Sequence, residues 1–98
     1  MDLEGFKATL ADDGPPEEVG RPLQALWWEA QGDWEGAHRL AQAEPNRDGA
    51  WVHAYLHRKE GDLGNAQYWY SRAARTMAGE SLDREWEEIA AALLGERG

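Results

Sequence analysis

The chain has 98 residues, no cysteine and a formal net charge of −9. These features exclude disulfides, thiolate zinc sites and cysteine nucleophiles. They also speak against general nucleic-acid binding, which draws its affinity from neutralised phosphates. The length suits one domain, residues 1–98, with a single small core.

No stretch approaches the ~20 apolar residues of a membrane helix. The start Met1-Asp2-Leu3-Glu4 lacks the basic and then apolar run of a secretory signal. The expected setting is therefore the cytoplasm, with no membrane partner. Residues 1–35 hold nine acids against two bases, residues 36–75 four against six, and residues 76–98 six against two. The acidic ends thus flank a mildly basic middle containing Arg39, Arg47, Arg58, Lys59, Arg72 and Arg75.

In chain order, Leu3, Phe6 and Leu10 predict a short amphipathic helix within residues 1–13. Asp12-Asp13-Gly14-Pro15-Pro16 ends it, because a residue before proline is pushed out of the helical region. Pro22 opens a helix to about Gln31 with Leu23, Leu26 and Trp27 on its apolar stripe. After Asp33 a helix runs to about Glu44, led by Trp34 and carrying Ala37, Leu40 and Ala41 inward. Asn46-Arg47-Asp48-Gly49 reads as a connection to a helix over Ala50 to Glu60. In that helix Trp51 and Tyr55, Val52 and Leu56, and His53 and His57 pair at one-turn spacing. Three occupied faces mean that it is enclosed on more than one side. The next helix runs from Leu63 to about Met77 and is ended by Gly79, with Ala66, Tyr70, Ala73 and Met77 inward. Ser81 caps a final helix, residues 81–95, in which Leu82, Trp86, Ile89 and Leu93 form the stripe while Arg84, Glu85, Glu87 and Glu88 face water.

Gly32-Asp33-Trp34-Glu35-Gly36-Ala37 and Gly61-Asp62-Leu63-Gly64-Asn65-Ala66 repeat a Gly-Asp turn at an offset of 29 residues. A glycine past a helix end takes the left-handed conformation freely, and the aspartate after it accepts from free amides of the next helix. The chain therefore reads as all-α. Two stacked helix-turn-helix hairpins, residues 22–44 and 49–78, lie between an N-terminal helix and a C-terminal capping helix.

Gln31-Gly32-Asp33-Trp34-Glu35-Gly36-Ala37 and Glu60-Gly61-Asp62-Leu63-Gly64-Asn65-Ala66, the second followed by Tyr70 and Ala73, resemble the turn and second helix of tetratricopeptide repeats. Ala50-Trp51 is similar to that family's opening, and the likeness covers roughly residues 22 to 78. The chain departs from the pattern in three places. The offset is 29 where that repeat has about 34, Ala41 stands where an aromatic is expected, and His53 and His57 occupy positions usually apolar. The resemblance implies a helical surface that binds a protein or peptide.

No enzymatic constellation emerges and no cofactor is required. The leading expectation is a protein interaction module that binds a peptide segment, acidic by charge complementarity, through Trp51, Tyr55, Arg58, Arg72 and Arg75. A two-fold dimer is also expected, because a chain with two repeats has more aromatic groups than its helices can readily hide. Trp28 and Tyr68, off the inner stripes, would lie nearest that contact. The alternative is a metal- or small-ligand-binding protein, enzymes included, centred on His38, His53 and His57. His53 and His57 have the i, i+4 spacing of metal ligands, Glu60 lies one turn on, and His38 on the facing hairpin offers a third nitrogen. The residue after His53 is Ala54, so the metalloprotease signature is missing. The plainer account of these histidines is structural hydrogen bonding. Convergence of the three imidazoles in an open pocket would favour the alternative.

Overall fold

A computed structural model describes residues 1–77 and 79–95. Among these, the order is α1 (Leu3–Ala8), a 3-10 turn (Thr9–Ala11), α2 (Arg21–Ala30), α3 (Trp34–Gln42), α4 (Arg47–Glu60), α5 (Leu63–Arg72) and α6 (Leu82–Leu93). The fold is all-α, and among the described residues no helix is long and apolar enough to cross a membrane.

The two Gly-Asp turns have one geometry. Gly32 and Gly61 sit at φ +91° and +89°, where a side chain would be strained. The Asp33 amide closes on the Trp28 carbonyl at 2.9 Å, and the Asp62 amide closes on His57 at 2.9 Å. The Asp33 carboxylate then accepts from the Gly36 amide at 2.9 Å, and Asp62 accepts from Asn65 at 3.3 Å. Each turn therefore ends one helix and starts the next, folding α2 onto α3 and α4 onto α5 as antiparallel neighbours.

Two boundaries differ from the sequence reading, each for a local reason. The first is the start of α4, at Arg47, because Asn46 acts as its N-cap and accepts from Gly49 at 2.9 Å. The expected connection is thus the first turn of the helix. Gly49 has to be glycine, since a Cβ there would lie 2.2 Å from the Glu44 carbonyl oxygen. The second is the end of α5 at Arg72. Ala74 takes the left-handed conformation at φ 60° and the Arg75 amide bonds Tyr70 at 2.9 Å. The same stop motif is therefore built on alanine, well before Gly79. The far boundary of the second expected hairpin, residue 78, lies outside the described residues.

Helix α4 is the centre of the molecule, packing against α2, α3, α5 and α6. Its residues Val52, Ala54, Tyr55 and Leu56 are buried with Phe6, Leu26, Trp27, Tyr70 and Ile89. α6 closes the domain over α4, α2 and α1. The Trp86 indole, stacked on Phe6, donates to the Leu26 carbonyl at 3.1 Å. Glu85 corrects the sequence reading: it faces inward, 2 % exposed. Arg58 Nη1 donates to its carboxylate at 2.7 Å, and the Tyr70 hydroxyl donates to the other oxygen. These partners offset the cost of burying the charge in part.

Candidate histidine site

The helix that α4 must bury on all sides brings its histidines against the first hairpin. His53 and His57 are one turn apart and stack at 4.9 Å. From α3, His38 meets them edge-on, at ring-centre distances of 4.5 Å and 5.3 Å. The Nε2 atoms of His38 and His53 are 2.8 Å apart, and the candidate ligand atoms of all three residues lie within 4.8 Å of one another. His53 is 3 % exposed and His57 8 %, while His38 is half-buried. The cluster therefore has one more open side, at α3.

Two tryptophans fix the rings. Trp34, four residues before His38 in α3, stacks on it at 4.9 Å with an interplanar angle of 12°. Its indole donates to the Leu56 carbonyl of α4 at 2.9 Å, tying the two hairpins together at the cluster. Trp69 of α5 covers the other end, stacked on His53 at 3.9 Å. The sequence reading left both out of the site. The signal for Trp34 was its one-turn spacing from His38, whereas Trp69 is brought in only by tertiary packing.

Glu60 is engaged by His57, whose Nδ1 lies 2.6 Å from its carboxylate. With Nδ1 engaged by the carboxylate, Nε2 is the ring nitrogen of His57 left for a ligand, the arrangement by which a carboxylate orients a metal-ligating imidazole. A second acid, Asp62, lies within 4.8 Å of the His57 and Glu60 donor atoms. Hydrogen bonds from the Asn65 side chain and amide hold its carboxyl below the usual range.

Burial, with His38 and His57 beside it, pushes His53 down to about 4. Burial and His57 lower His38 as well, opposed by Glu60. Both rings are therefore neutral near pH 7, the form that binds metal. Nitrogens about 2.0–2.1 Å from a tetrahedral ion stand about 3.3 Å apart. The 2.8 Å pair and the 4.8 Å limit bracket that spacing. One atom is out of balance: Nδ1 of His53 is buried without a hydrogen-bond partner.

The residues expected to form a partner face divide between the core and the surface. Trp51 is 4 % exposed and Tyr55 2 %, both in the core, because α4 is covered on every side. Arg58 is spent on Glu85 and the Glu80 carbonyl. Arg75 lies over the Trp51 ring at 3.4 Å. Arg72 remains exposed, stacked on Tyr68 and Trp69. Of the expected dimer contacts, Trp28 is half-buried edge-on against Trp27, and Tyr68 is 52 % exposed.

Comparison of the chain with protein-family models, with curated proteins and with solved structures finds no match in any of the three.

Proposed function

We propose that this protein binds a divalent transition-metal ion through His38, His53 and His57, with Glu60 orienting His57. The observation that carries the reading is the meeting of three imidazoles from two helices, their nitrogens within 4.8 Å. Three imidazole nitrogens and an open side at α3 match the donor set of sites that keep a position for water or substrate. Imidazole ligands suit zinc, copper, nickel and iron, so the chemistry selects a class of ion rather than one element. Cobalt(II) titration tests the reading through its visible absorption. One equivalent should bind with a four-coordinate spectrum, and His38→Ala, at a half-exposed position, should abolish it while leaving the helical circular dichroism unchanged. Failure of the wild type to bind, or equal binding by the variant, would overturn the site.

A second reading keeps the interaction module. It takes α2–α3 and α4–α5 as tetratricopeptide-like hairpins and moves the partner surface to the outer side of α5. The supporting observation is that Leu63 and Tyr68 are more than half exposed there, with Arg72 stacked on Tyr68. An acidic peptide is the fitting partner and a second copy of the chain the competing one. Substituting Tyr68 and Arg72 together should weaken capture of an acidic peptide. If instead it lowers the mass in sedimentation equilibrium, the surface is a dimer contact.

A further inference from the structure

Beside the histidine cluster lies a groove of about 520 Å³, walled by Ala41, Glu44, Asn46, Arg47, His53, Trp69 and Arg72 among others. We propose that this groove binds a small oxyanion, a carboxylate or phosphate group, held by Arg47, Arg72, the amino end of α4 and the Nδ1–H of His53. The assignment of the His53 proton rests on the metal reading; the other contributions do not.

The argument begins with His53. Its Nε2 faces His38, and its Nδ1 is buried with no partner in a ring only 3 % exposed. A metal ion on Nε2 places the proton on Nδ1, and a metal-bound histidine nearly always donates that proton to a carboxylate, carbonyl or water. Among the described residues nothing accepts it, yet His53 is part of the groove wall. A ligand entering the groove would meet this ring, and the groove's charges say what kind of ligand it is. Arg47 and Arg72 are exposed and have no ion pair among the described residues. Arg72 donates to the Tyr68 hydroxyl at 3.0 Å, which leaves the rest of its donor fork available. The amino end of the 14-residue α4 adds its dipole, its Gly49 amide being already taken by the Asn46 side chain.

Glu44, the acid in the wall, is held by Arg21 at 3.5 Å and by the Asn46 side chain at 3.0 Å. Asp48 in the first turn of α4 is exposed to water. Trp69, stacked between His53 and the Arg72 guanidinium, holds that cation at the groove wall. Because the metal fixes the donor that the anion needs, each strengthens the other by the same factor.

The test follows the indole resonance of Trp69 and the side-chain resonances of Arg47 and Arg72 by nuclear magnetic resonance. The whole chain is titrated with acetate, methyl phosphate and, as an ionic-strength control, chloride. Saturable shifts confined to those residues are expected with acetate or methyl phosphate, and whichever binds tighter identifies the group. Removing both cations (Arg47→Gln with Arg72→Gln) should weaken binding about tenfold or more, since hydrogen bonds to charged groups are the strong ones. Loading with zinc should tighten it. Shifts no larger than those with chloride, or binding unchanged in the double variant, would overturn the groove. Binding to the metal-free protein that the double variant abolishes supports the groove even if zinc never binds. Failure of the metal site and failure of the anion site are therefore separately visible.

Discussion

Toward α6, the network around α4 buries a carboxylate with all its partners: Glu85 takes Arg58 and the Tyr70 hydroxyl, and Arg58 also donates to the Glu80 carbonyl. Toward α3, the same helix buries His53 and His57 with a mutual stack, one shared contact to His38 and an orphaned Nδ1. Both regions place polar side chains where an apolar one would pack. The first has its hydrogen bonds closed and acts as a clamp between α4, α5 and α6. The second is left open, and burial holds His38 and His53 neutral. A satisfied polar network explains itself by stability. An unsatisfied one costs stability, and folds tolerate that cost where a ligand completes the site.

Substitution should separate the two regions most widely. Glu85→Ala leaves the buried Tyr70 hydroxyl and the Nη1 of the half-buried Arg58 without their acceptor and should cost about 3–5 kcal/mol in urea unfolding. His53→Phe keeps the stack on Trp69 and removes the orphaned nitrogen, so metal-free stability should change by less than about 1 kcal/mol. Equal losses in the two variants would erase the distinction.

Acid should act on the histidine side first. The folded protein holds His53 at about 4 against an ordinary value of 6.5, so the unfolded chain takes up the proton more readily. The associated stability is fully present above pH 6.5 and is lost as pH falls from there towards 4. For a ring 3 % exposed the loss amounts to roughly 2–3 kcal/mol, with His38 contributing in the same direction. Unfolding midpoints of the metal-free protein between those limits should show this slope, and His53→Phe should flatten it. An unchanged slope in the variant would mean that other groups carry the acid response.

Smaller effects should come from the turns. Asp62→Ala removes the cap of α5 and should cost about 1 kcal/mol. Ala74→Gly relieves a left-handed alanine and should gain up to about 1 kcal/mol, visible as a raised thermal midpoint. A lowered midpoint would show that the extra freedom of the unfolded chain dominates at that position.

Much of this frame was legible in the sequence because it is local chemistry. Gly32-Asp33 and Gly61-Asp62 announce their own geometry, and Ser81 accepts from the Arg84 amide at 3.1 Å as its position implies. The i, i+4 spacing of His53 and His57 put them on one face, and the hairpin order placed His38 opposite. Glu85 was misread because its charge was weighed above its position. It stands three residues after Leu82 and four before Ile89, on the buried stripe itself. Glu29 is a parallel case, three residues after Leu26, 4 % exposed and paired with Lys59. Trp51 and Tyr55 were set on a partner face although the sequence already showed α4 occupied on three sides. What the sequence could not supply were long-range facts. These are the stacking of Trp69 on His53 and the convergence of Arg47 and Arg72 on one groove.

The most direct test of the central claim is the ring-nitrogen spectrum of the three histidines as zinc is added to the whole chain. One equivalent should move the nitrogen resonances of His38, His53 and His57 together and to completion, with His53 and His57 bound through Nε2 and their Nδ1 atoms protonated. A response confined to the half-exposed His38, or none at all, would contradict the site.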